Sequence, residues 1–141
     1  MTSQDRLAKV QRYIRSAELL MRDGDHESAL SRAYYAVLHA AIAVLVAYGR
    51  PEVEGWKTHV QVLHTCTRED RRYTWFHGIR FLRGTGGLQR SLATLHAQRD
   101  DADYAIGKIT PTGAQEALRF AREFTRRVEE KIRERERQEK R

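Results

Sequence analysis

The segment HAQRDDADY at 96–104 brings together groups that can grip a phosphate or move a proton. Arg99 and Asp103 are four apart and His96 lies about one turn before Arg99, so on a helix His96, Arg99, Asp100 and Asp103 line one face. A guanidinium between an imidazole and carboxylates is a phosphate-handling edge. The bland alternative is an exposed Arg99–Asp103 ion pair worth about 0.3–0.5 kcal/mol. A second set lies in ALSRAYYAVLHAAIAVLVAYG at 29–49, where Ser31, Tyr35 and His39 recur every four residues in an otherwise apolar run. Each needs a hydrogen-bond partner once it leaves water. Packing is the commoner use of such residues. The three are therefore expected to form an internal polar column that fixes the helix and helps to shape a cleft.

The elements that must position these residues are all helical. Apolar residues recur with helical spacing almost everywhere and alternate as in strands almost nowhere, which predicts an all-α fold, an up-and-down bundle of four to five helices. Leu7, Val10, Ile14, Ala17 and Met21 make the stripe of a first helix that stops near Asp23-Gly24. Asp25 caps a second, central helix. It has one stripe of Leu30, Tyr34, Val37, Ala41, Val44 and Tyr48, and another of small residues, Ala36, Ala40, Ala43 and Ala47, which lets a neighbour approach closely. Gly49 ends it and GRPEVEG reads as a connection. Shorter helical patterns follow at 56–69 and at 73–83, the second aromatic-rich (Tyr73, Trp75, Phe76, Phe81). GTGG at 84–87 is a link, since it lacks the Lys-Ser/Thr of a phosphate-binding loop. A further helix is predicted over 88–106, with Leu88, Leu92, Leu95, Ala102 and Ile106 inward. Thr110-Pro111 opens the last, with Ala114, Ala117, Leu118, Ala121, Thr125, Val128 and Ile132 as its stripe. Residues 1–132 thus read as one helical domain. Beyond Ile132 no apolar residue remains, so the charged tail 133–141 is expected to project beyond the bundle as a frayed helix end.

At 141 residues the chain can bury a single core without staples. Cys66 is the sole cysteine, which excludes an intrachain disulfide. The opening MTSQDRLAKVQRYI lacks the basic-then-apolar pattern of a secretory leader, and a cytoplasmic protein is expected. The nearly uncharged run at 33–48 is 16 residues, short of the roughly 17–25 that cross a bilayer, so a buried helix and no membrane partner are expected. Neither a cofactor motif nor a metal-ligand set stands out. The formal charge is +7 and arginine outnumbers lysine 21 to 5, which suits bidentate phosphate contacts. Residues 126–141, with eight basic and five acidic side chains, supply +3 of that excess.

The order GDHESALSRAYYAVLHAA, then KTH at 57–59, then RDDADY at 99–104, then a helix opening near Thr110, resembles the HEPN superfamily of small helical bundles. More narrowly it is similar to the prokaryotic branch marked by an AYYA…HAA helix, a KTH-like helix start and an R-x-x-A-D-Y segment. The likeness covers about residues 5 to 130. It implies a bundle that commonly forms a homodimer and works on RNA or nucleotides. Many such proteins are encoded beside a minimal nucleotidyltransferase as a toxin–antitoxin pair. Catalytic members are metal-independent ribonucleases with an Arg-x(4–6)-His motif from both subunits. There the arginine would hold phosphate and the histidine would act as acid or base for attack by the ribose 2′-hydroxyl.

As a bare pattern Arg-x(4–6)-His occurs four times, at Arg32/His39, Arg71/His77, Arg72/His77 and Arg90/His96. With this many arginines about three matches arise by chance, so placement decides. Where the catalytic motif would align, Arg99 is followed five residues later by Tyr104. The arginine is present and the histidine is not. A phenol with a reference pKa of about 10 is a poor base near neutral pH. A binding and regulatory role therefore ranks ahead of an endoribonuclease toxin using Arg99 or Arg90 with His96, and ahead of a purely structural interaction module. The expected contacts to RNA or nucleotide are Arg99, Asp103, Tyr104, Arg90 and His59. By the same resemblance Tyr104 is the candidate acceptor for AMP from a nucleotidyltransferase partner.

Overall fold

The computed structural model describes residues 2–55, 61–62, 87–104 (side chains from 91) and 108–140. Its first helix, α1 (Ser3–Arg22), starts at a reciprocal cap. The Asp5 amide donates to Thr2 Oγ1 at 3.0 Å and the Thr2 amide donates to Asp5 Oδ2 at 3.0 Å. Hydrogen bonds from the Thr2 amide and the Thr2 hydroxyl hold the exposed Asp5 carboxyl below its ordinary range. α1 ends at Gly24, whose φ of 80° is the left-handed conformation that glycine adopts at least cost. The Gly24 and Asp25 amides donate back to Met21 and Leu20 carbonyls, closing the helix end.

Asp25 caps α2 (His26–Ala47), as its position predicts, accepting from the Ser28 amide at 3.2 Å. Gly49, φ 88°, ends α2 by the same geometry, with the amides of Gly49 and Arg50 bonded to Val46 and Leu45 carbonyls. α2 is the centre of the molecule. Every side chain from Ala36 to Leu45 except His39 is buried. By length and composition alone it could cross a membrane, in contrast to the 16-residue run considered from sequence; 72% of its apolar window is buried inside the protein. GRPEVEG is more than a connection: it winds into a 3-10 turn, Pro51–Gly55, that buries Val53.

α3 (Gly87–Tyr104) packs on α2 and buries Ser91, Leu92 and Leu95. Of GTGG, Gly87 lies within the described residues and opens this helix. Thr110 then caps α4 (Pro111–Glu139), accepting from the Gly113 amide at 3.0 Å with proline in the first turn. The whole expected stripe of α4 is buried. Phe120 and Phe124 join it, ring centroids 5.9 Å apart, and widen the apolar face beyond the stripe read from spacing.

Cross-links fix the directions. Ser3 reaches the Ala43 carbonyl and Arg6 reaches His39, so α1 and α2 run antiparallel. Gln4 bonds Glu136, Gln11 bonds Glu129 and Glu18 pairs with Arg122, so α4 is antiparallel to α1 as well and hence parallel to α2. Among the described residues there are four α-helices and no strand, as the all-α reading expects. α4 stays helical to Glu139, and its last turns touch the bundle: Glu136 accepts from Gln4 at 3.0 Å and the Arg135 guanidinium lies 5.5 Å from the centre of the Tyr48 ring. A long basic side chain can cover an aromatic face even where no apolar residue is available. The helical patterns at 56–69 and 73–83 lie outside the described residues, apart from Gln61 and the buried Val62, which are helical.

Candidate functional site

α3 brings the RDDADY residues onto α2 at Tyr34. The Arg99 guanidinium sits 5.0 Å from the centre of the Tyr34 ring, and the His96 ring meets the same tyrosine edge-on at 5.8 Å. Two carboxylates hold the arginine: Arg99 Nη1 donates to Asp103 Oδ2 at 3.2 Å, and Nη2 lies 3.3 Å from Asp100 Oδ1. The other Asp100 oxygen is 3.8 Å from His96 Nδ1, longer than a hydrogen bond. His96, Arg99, Asp100 and Asp103 are thus brought together on one face, as their spacing predicts. The arginine is more enclosed than a solvated ion pair. Its side chain is 14% exposed, and Nε is buried with no hydrogen-bond partner among the described residues.

Burial opposes the charge on Arg99, but the hydrogen bond to Asp103 and the neighbouring acidic groups outweigh it and raise its pKa. Burial pushes the Tyr34 phenol up to about 12, against the pull of Arg99. The cluster is a fixed cation over an un-ionised phenol. Arg99, Asp100 and Asp103 together carry a formal charge of −1, so a phosphate gains the full attraction of Arg99 only by displacing one carboxylate.

Tyr104, the last residue of α3, is 83% exposed and stands in solvent. Arg90 lies on α3, but its side chain is outside the described residues, as is all of His59.

Ser31, Tyr35 and His39 are half-buried on one face of α2. Tyr35 and His39 meet α1 at Tyr13, whose ring stacks on His39 (5.4 Å, 11°) and on Tyr35 (5.9 Å, 27°). Arg6, 8% exposed, donates to His39 Nδ1 at 3.1 Å and pairs with Glu54 at 3.2 Å. A guanidinium has no acceptor, so Nδ1 must accept and the ring proton sits on Nε2. Sequence reading missed Arg6, Tyr13 and Glu54. A signal was present: Arg6, Val10, Tyr13 and Ala17 share the spacing of one helix face, so an arginine and a tyrosine flank the apolar stripe.

The family model for the HEPN domain matches residues 3–131. No curated protein matches the chain.

Proposed function

The chain belongs to the HEPN domain family, and from that premise we propose that it is a binding and regulatory module that engages a phosphate-bearing ligand, RNA or nucleotide, without cleaving it. The observation that carries this reading is Arg99, fixed over Tyr34, with no hydrogen-bond partner for Nε among the described residues and no histidine five residues on. The guanidinium offers donors in a fixed fork, and Tyr104 supplies no proton-transfer group suited to neutral pH. Arg99→Ala should weaken binding of RNA or ATP and lower the salt dependence of RNA binding, whereas Arg137→Ala on the exposed end of α4 should change little. Equal losses in the two variants would contradict a specific site.

The regulatory part of the reading rests on the family branch that the motifs resemble. The protein acts as a cytoplasmic homodimer paired with a minimal nucleotidyltransferase. Exposure of Tyr104 supports its role as acceptor: the phenolic oxygen attacks the α-phosphate of ATP, the phenolic proton is lost, pyrophosphate leaves, and an AMP anion is placed near Arg99. Intact mass after incubation with the partner and ATP should rise by one adenylate in wild type and not in Tyr104→Phe. Mass gain in both would move the acceptor elsewhere.

A second reading, a metal-independent endoribonuclease, is favoured by one observation. His96 and Arg99 both touch Tyr34 and both approach Asp100. RNA cleavage by wild type that disappears in His96→Ala would select it.

A further inference from the structure

We propose that the groove between α1 and the first half of α2 binds the sugar-phosphate backbone of single-stranded RNA through Lys9, Arg12 and Arg32. Lys9, Arg12, Tyr13 and Ser16 lie at helical spacing on one face of α1, and Arg32 faces them from α2. Together they line an open pocket of about 330 Å³. The Lys9 ammonium and the Arg32 guanidinium lie 6.0 Å and 5.9 Å from the centre of the Tyr13 ring. The inference rests on RNA being the ligand, as proposed above, but not on Arg99.

What sets this groove apart from the Arg99 cluster is its uncompensated charge. Among the described residues no carboxylate pairs with Lys9, Arg12 or Arg32. The acidic residues of α1 are engaged elsewhere: Asp5 closes the Thr2 cap and Glu18 pairs with Arg122 at 2.9 Å. Asp25 is held at the start of α2 by the Ser28 amide. Three cations of one sign therefore face a common space, whereas Arg99 already has two anionic neighbours.

The same residues choose the ligand. Arginine forks and a lysine suit phosphate oxygens, and the Ser16 hydroxyl is a further donor. An aromatic ring among phosphate-binding cations is the arrangement with which proteins hold single strands, where a base can lie against the ring. An anionic membrane would also answer the charge. It would need aliphatic side chains to insert, and none lines this groove. The seam of Tyr13 on His39 and Tyr35 gives the groove a rigid floor, since the ring is held by stacking from α2.

The test is fluorescence anisotropy of a labelled single-stranded oligoribonucleotide across a salt series. The proteins are wild type, the triple variant Lys9→Gln/Arg12→Gln/Arg32→Gln, the charge-matched control Arg133→Gln/Arg137→Gln/Lys140→Gln, and Arg99→Ala. Circular dichroism confirms that each is folded. Each phosphate contact on a single strand contributes about 0.7 to the slope of log K against log salt, so losing all three should lower the slope by about 2 and low-salt affinity roughly tenfold or more. The control should keep most of both. A triple variant no worse than the control overturns the groove. If Arg99→Ala then abolishes binding, the reading at Arg99 still stands. The reverse pattern upholds the groove and removes Arg99. Adding ATP separates a free nucleotide from a strand: displacement of RNA from wild type by equimolar ATP would mean a mononucleotide pocket and overturn the proposal. So would wild-type binding to phosphatidylserine vesicles without binding to RNA, or no binding to either.

Discussion

A single side chain, Tyr34, couples the two chemistry-bearing segments of the chain. It lies in the core of α2, yet its ring receives Arg99 on one side and the edge of His96 on another. Its phenol titrates near 12 in the folded protein against an ordinary value of 10.0. The folded state thus keeps a proton that the unfolded chain gives up, so this contribution is whole below about pH 10 and is lost as pH rises towards 12. Two pK units correspond to about 2–3 kcal/mol. In urea unfolding, wild type should lose stability over that alkaline window by more than Tyr34→Phe does; parallel curves would show that the phenol is not buried as described. Spacing alone placed Arg99, His96, Asp100 and Asp103 on one face, because that relation is local to a helix. It could not show which residue of α2 they meet, since that depends on how α3 crosses α2. For the same reason nothing in the sequence pairs Arg6 with Glu54, which the 3-10 turn brings to it.

At the scale of elements, helix ends were the most legible feature. Asp25, Gly49 and Thr110-Pro111 act through backbone groups within a few residues, and all do in the structure what their chemistry requires. The stripes were legible too, with Phe120 and Phe124 added because α4 is covered over a wider arc than one narrow row. Less legible was the position of the Ser31, Tyr35 and His39 face, which lies between the buried side of α2 and solvent. Polar residues at such a boundary give no sign of whether a partner helix covers them. The small-residue face is a sharper case. Ala36, Ala40 and Ala43 are fully buried, so a longer side chain has no space. Ala40→Leu should destabilise the protein by about 1–3 kcal/mol through overpacking, read as a lower urea midpoint with an unchanged m-value. A neutral result would mean that α2 is less tightly enclosed than its burial indicates.

Over the whole molecule, the +7 charge is organised rather than uniform. Along α4 most cations are spoken for: Arg119 pairs with Glu116 and Glu123, Arg122 with Glu18, Arg126 with Glu130, Lys131 with Glu134, Arg133 with Glu129 and Arg135 with Glu139. Exposed pairs of this kind contribute little stability, but they cancel the field of that face. Among the described residues the α1–α2 groove lacks such cancellation, which is why it is the face proposed to meet a polyanion. The proposed homodimer belongs to this scale as well. Sedimentation equilibrium should give twice the chain mass, and a concentration-independent monomer would rule out a site shared between subunits. The central claim is that the protein holds RNA and leaves it intact. A single-stranded RNA carrying a fluorophore at one end and a quencher at the other tests both halves in one sample at neutral pH, through anisotropy and fluorescence recovery. The expected result is a rise in anisotropy on adding protein, with no recovery of fluorescence over hours. Steady recovery of fluorescence, or no rise in anisotropy at low salt, would contradict it.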